Sequence, residues 1–109
     1  MSWSIDYYSE RVRQDVEALP VGIRAGYARL ANLLVEFGLS LRMPHSKSIG
    51  NGLFELRPRG PEGIARMMYC TKIGRRIVIL HVFIKKTQKT PKRDLEIARR
   101  RHREVVRDE

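Results

Sequence analysis

The stretch IVILHVFI, residues 77–84, is apolar on both of the faces between which a strand alternates. Ile77, Ile79, His81 and Phe83 fall on one side, and Val78, Leu80, Val82 and Ile84 on the other. Such a segment needs cover above and below, so it predicts a central strand with another layer on each face. It is far too short to cross a bilayer. The rest of a chain of 109 residues has to be arranged around it.

The surrounding pattern supplies the partners. LFELR (53–57), GIARMMYCTK (63–72) and RRIVILHVFIK (75–85) read as three strands, separated by turns at PRGPEG and Ile73-Gly74. Their short gaps favour an antiparallel meander. WSIDYY (3–8), with Trp3, Ile5 and Tyr7 on one alternate face, reads as a further strand. SERVRQDVEA (9–18) predicts a helix with Ser9 as N-cap, and Val12 and Val16 share a face. In VGIRAGYARLANLLVEFG, the residues Ile23, Tyr27, Leu30, Leu34 and Phe37 recur at helical spacing and Gly38 is the stop. LSLRMPHSKSIGNG (39–52) is turn-rich and reads as a loop. A last helix is predicted with Thr90 as N-cap and Pro91 in its first position, packing through Leu95, Ala98, His102 and Val105. The expectation is one domain over residues 1–109 of α+β class. It has a small antiparallel-rich sheet, two helices from the N-terminal half and one C-terminal helix.

Charge narrows the choice of partner. The formal net charge is +10, and it is unevenly placed. Residues 1–65 hold eight basic and seven acidic side chains (8 − 7 = +1), and residues 66–109 hold fourteen and five (14 − 5 = +9). FIKKTQKTPKRDLEIARRR, residues 83–101, sets eight Lys and Arg against two acids. A local basic surface of this kind suits a polyanion: nucleic acid, an anionic membrane or an acidic protein. The narrow apolar stripe of the last helix argues against the membrane. Cys70 is the one cysteine, and His45, His81 and His102 are scattered, so neither a disulfide nor a zinc spacing is present. MSWSIDYYSE lacks the basic start and apolar run of a signal peptide, which points to the cytoplasm.

The words MPHSKSIGNGLFELRPR (43–59), GIARMMYC (63–70) and IVILHVFIKKTQKTPKRDLEIARRR (77–101), in this order, resemble the RelE/HigB-type toxins of bacterial toxin–antitoxin pairs, most closely their phage-derived branch. The resemblance implies a RelE-like fold and a metal-independent endoribonuclease without cofactor that cuts mRNA in the ribosomal A site. It also implies a cognate helix-turn-helix antitoxin, through which alone operator DNA would be met. The family site lies on the concave sheet face, fringed by the loop before the last helix. Carried over by position, Arg66 is the main phosphate clamp with Arg57 in support, and Lys85 and Lys86 stabilise developing charge. Glu55 stands where some relatives have Lys, and Asp94 where the branch more usually has Glu.

Metal-free RNA cleavage with the adjacent 2′-hydroxyl as nucleophile needs an in-line phosphate, two proton transfers and cationic donors for the growing negative charge. Lys89, Lys92, Arg93, Arg99 and Arg100 are the candidate RNA contacts, with Tyr69 as a base-stacking side chain. Each has a plainer reading. Strand arginines often face solvent, strand-end lysines discourage edge pairing, and a Tyr or His inside a strand is more often core. The general base is left unassigned. The alternative to a toxin is a non-catalytic basic RNA- or DNA-binding module, or an adaptor for an acidic partner, on the same fold.

Overall fold

A computed structural model describes residues 2–84 and 91–109. The apolar block forms β6, Arg76–Ile84, an interior strand of the sheet. On one side it pairs in parallel with the edge strand β1, Ser4–Tyr7, from Ser4 opposite Arg76 to Tyr7 opposite Ile79. On the other it pairs antiparallel with β5, Gly63–Lys72, which lies in the middle of the sheet. Then follow β3, Leu53–Leu56, and β2, Ser46–Gly50, both antiparallel to their neighbours. The order is β1-β6-β5-β3-β2, with the short β4, Arg59–Gly60, pairing off this path against the start of β5. The meander through β3, β5 and β6 follows expectation, and the parallel β1 makes the sheet mixed.

Both faces of β6 are covered. Helix α1, Glu10–Glu17, and helix α2, Val21–Phe37, pack Val12, Val16, Ile23, Tyr27 and Leu34 against Leu56, Met67, Ile77 and Ile79. On the other face, α3, Lys92–Arg107, lays Ala98, Leu95 and Val105 over Leu53, Met68, Cys70, Val78 and Leu80. Each large side chain fully buried in this way contributes roughly 1.5–3 kcal/mol against its exposed state. The Ser9 hydroxyl accepts from the Val12 amide at 3.2 Å, capping α1 as expected. Pro20 offers α2 no side-chain cap. Glu62, in the turn before β5, replaces it by accepting from the amides of Gly22 at 3.0 Å and Ile23 at 3.1 Å. Gly26 lets α2 press onto β4, where a Cβ would stand 2.3 Å from the Arg59 carbonyl oxygen.

The structure corrects the sequence reading in three places. Residues 46–50 are a strand, not part of a loop. Their apolar signal is weak because this is an edge strand with Lys47 and Ser48 exposed, and the turn to β3 runs through Gly50, Asn51 and Gly52, all at positive φ. Pro91 sits just outside α3, at its N-cap, without a side-chain bond, and Thr90 lies outside the described residues.

The third correction concerns the faces of β6. Met68 pairs with His81 but Tyr69 pairs with Ile79, so Leu80 is an extra residue on β6, a bulge. Beyond it the alternation inverts. Val82 packs with the cluster of Ile77 and Ile79, whereas Phe83 packs with that of Val78 and Leu80. His81 and Phe83 therefore stand on the α3 side, opposite to the simple alternation.

Candidate active site

Beside the start of α3, the sheet carries two rows of side chains across β3, β5 and β6. The first is Glu55, Met68 and His81, and the second ends in Arg66 opposite Phe83. Arg57, two residues after Glu55, closes back on the same side. Its Nε donates to Glu55 Oε1 at 2.7 Å, while Arg66 Nη1 donates to Glu55 Oε2 at 3.2 Å. One carboxylate thus gathers the two arginines singled out in the sequence. Glu55 is 2% exposed and Arg66 4%, so neither takes the solvent-facing role open to a strand residue. The Arg57 side chain, at 28%, is the one presented outward. It also borders a groove of about 460 Å³ between α2 and the Met43-Pro44-His45 segment, with Arg29 and Arg59 beside it.

The bulge places a second pair in the same area. His81 Nε2 lies 2.6 Å from Oδ1 of Asp94 in the first turn of α3, and the ring stacks on Phe83 with centroids 5.7 Å apart. The Leu80 carbonyl accepts from Arg101 Nη1 at 2.7 Å, and the same guanidinium lies 4.8 Å above the centre of the Tyr8 ring. Tyr8 donates its hydroxyl to Glu104. That bond raises the phenol's pKa first, burial adds to it, and Arg101 and Arg100 pull the other way.

The remaining predicted residues divide. Lys92, Arg93 and Arg100 are exposed along α3. Arg99 turns toward the β2–β3 hairpin, where it lines a groove of about 400 Å³ with Asn51, His102, Arg103, Val106 and Arg107. Burial, and then the charge of Arg99, hold His102 below its ordinary pKa. Lys85, Lys86 and Lys89 lie outside the described residues. Tyr69 does not join the site. It is 2% exposed on the α1/α2 side, stacked on Phe54 and hydrogen-bonded through its hydroxyl to Ser46 at 2.5 Å. The alternation of β5 gives Arg66 to one face and Tyr69 to the other, so Tyr69 lies away from the arginines. Among the described residues no three His, Cys, Asp or Glu side chains gather to hold a metal ion. None of the described helices is long and apolar enough to cross a membrane.

Sequence reasoning left the orientation of Glu55 open and read His81 as core. The signal for the first was available in part, since Glu55 and Arg57 are two apart on one strand. The His81–Asp94 contact joins residues thirteen apart in sequence and depends on the bulge, which no local pattern announces.

An α+β layer arrangement of this kind, with a mostly antiparallel mixed sheet and a terminal basic helix, is consistent with a RelE-like fold. The chain belongs to the family of phage-derived Gp49-like proteins, whose family model matches residues 14–103. This is a RelE/HigB-type toxin-like family. A comparison with curated proteins finds no match.

Proposed function

We propose that the chain, acting as one domain, is the toxin of a toxin–antitoxin pair and an mRNA endoribonuclease that acts on the ribosome. Its cognate antitoxin would be a helix-turn-helix protein, and operator DNA would be met through that partner. The observation that carries the reading is Glu55 holding Arg57 and Arg66 together on one face of the sheet. Two fixed guanidiniums are preorganised donors for the non-bridging oxygens of a phosphodiester, where charge grows as the bond breaks. Their burial reverses the order expected from sequence. Arg57 is the direct phosphate contact, and Arg66 is the charge behind it. Lys85 and Lys86 then stabilise the developing charge. Cleavage is read as metal-independent because the 2′-hydroxyl supplies the nucleophile.

Basic side chains along α3 extend the contact. Arg99, Arg103 and Arg107 recur every four residues and face the hairpin groove, while Lys92, Arg93 and Arg100 face outward. Contacts of this type are to backbone phosphate and depend on salt.

The test adds purified protein to a translating-ribosome reaction and maps mRNA ends by primer extension. Arg57→Ala and Lys85→Ala/Lys86→Ala variants and a ribosome-free reaction run beside it. New ends that require ribosomes, Arg57 and the lysines support the reading. Intact mRNA with a folded protein that still binds RNA moves the assignment to a non-catalytic binding module.

A further inference from the structure

We infer that His81, held by Asp94, is the general base that takes the proton from the attacking 2′-hydroxyl. The inference rests on the nuclease reading and supplies the residue that reading lacks. Ionised, the Asp94 carboxylate can only accept, so the 2.6 Å contact fixes the proton of the neutral imidazole on Nε2. Nδ1 then carries the lone pair. Among the described residues it has no hydrogen-bond partner. This is the arrangement in which a carboxylate orients a histidine, selects its tautomer and stabilises the imidazolium that forms.

Position supports the same role. His81 stands in the row of Glu55 and Met68, adjacent to the row of Arg66 and Phe83. Phe83 stacks on the ring and fixes its plane. Without the extra Leu80, residue 81 would point into the α1/α2 layer among Ile77 and Ile79. Bulges are over-represented next to active sites, where they re-aim a side chain. The histidine side chain is 16% exposed and Asp94 21%, enough for contact with a substrate laid across the sheet. The charged groups around it are Asp94 and Arg101 from α3, Glu55 and Arg57 from the β3 side and Arg66 from β5. Lys85 and Lys86 follow it in sequence, outside the described residues.

The step balances as follows. The 2′-oxygen gives its proton to Nδ1 and forms a bond to phosphorus, and the bond from phosphorus to the 5′-oxygen breaks. The leaving 5′-oxygen takes a proton from solvent water, and the hydroxide so formed takes the proton back from the imidazolium. The products are a 2′,3′-cyclic phosphate and a 5′-hydroxyl.

The experiment compares single-turnover cleavage by the wild-type protein, His81→Ala and Asp94→Asn as a function of pH, with and without added imidazole. Wild-type rate should rise with pH through one ionisation. His81→Ala should lose about 10²- to 10⁴-fold and that acid limb together, and imidazole should restore part of the rate. Asp94→Asn should fold, bind RNA and cut slowly. A His81→Ala variant that cuts normally overturns the inference. So does one that is slow but keeps the limb and ignores imidazole, since a merely structural histidine behaves that way. Nitrogen-15 NMR of the His81 ring gives a readout that does not need cleavage: protonated Nε2 with bare Nδ1 is expected, and the opposite tautomer overturns the assignment. A wild-type protein that cuts nothing, with the expected tautomer, counts against the nuclease reading instead.

Discussion

Arg101 spends its guanidinium on the Leu80 carbonyl, 2.7 Å from Nη1, while lying over the Tyr8 ring. The bulge residue's carbonyl is thereby satisfied from α3. Arg101 is therefore an anchor between helix and sheet, although it sits in a run of three arginines that otherwise reads as uniform surface charge. Arg101→Met should cost on the order of 1.5–3 kcal/mol, the range for a hydrogen bond to a charged group. It should lower the melting temperature by several degrees, read by circular dichroism.

Arg99 and Arg100, which precede it, should behave in the opposite way. Single changes to Ala should leave the melting temperature nearly unchanged. Each should instead reduce the salt slope of RNA binding by about one phosphate contact. Fluorescence titrations at several salt concentrations separate the two classes.

Removing Arg66 should be felt in the fold as well as the chemistry. Arg66→Ala withdraws a charge from a carboxylate that is 2% exposed, and truncating one partner of a buried pair costs about 3–5 kcal/mol. Arg57 stays on Glu55, which places the loss toward the lower end. Arg66→Lys should retain more stability but lack the planar fork. Denaturant unfolding gives both values.

Glu62 predicts a pH dependence. The amide of Gly22, then Glu62's own amide and last that of Ile23 hold its pKa below its usual 4.5. The carboxylate is thus favoured in the folded protein, and its contribution is complete above about pH 4.5. It disappears as pH falls through the lower folded value. Glu62→Ala should melt below the wild type at neutral pH, and the difference should close in acid.

Cys70 is fully buried on the α3 side of β5, and burial pushes its thiol up to about 11. Nucleophilic attack needs the thiolate. Alkylation by iodoacetamide should be very slow in the native protein near neutral pH and complete once it is denatured.

Much of the layer order was legible because it follows from periodicity. The double-sided apolar run marked β6 as an interior strand covered on both faces, and Val12, Val16, Ile23 and Leu34 marked the helical faces that cover one of them. Residues 63–72 could be bounded because turn residues flank both ends. What was hidden depends on distant partners. The edge strand β2 has few apolar residues of its own, and its one buried polar side chain, Ser46, is explained by Tyr69. The inverted face of His81 follows from a single inserted residue in a pairing register, and period-two counting assumes that none exists. For the site, the family resemblance pointed to Arg57 and Arg66. That both converge on Glu55, and that Tyr69 turns away from them, required the sheet.

The parallel pairing of β1 with β6 joins Ser4 to Arg76 across most of the chain. Contacts so far apart in sequence form late, because the intervening chain must first be ordered. During synthesis, β1 has no neighbour until β6 has been made, and His81 has no Asp94 until α3 has begun. A nascent chain that lacks its last helix thus holds the arginine cluster in sequence but not the completed dyad. The order of synthesis itself therefore defers assembly of the site until α3 has been made.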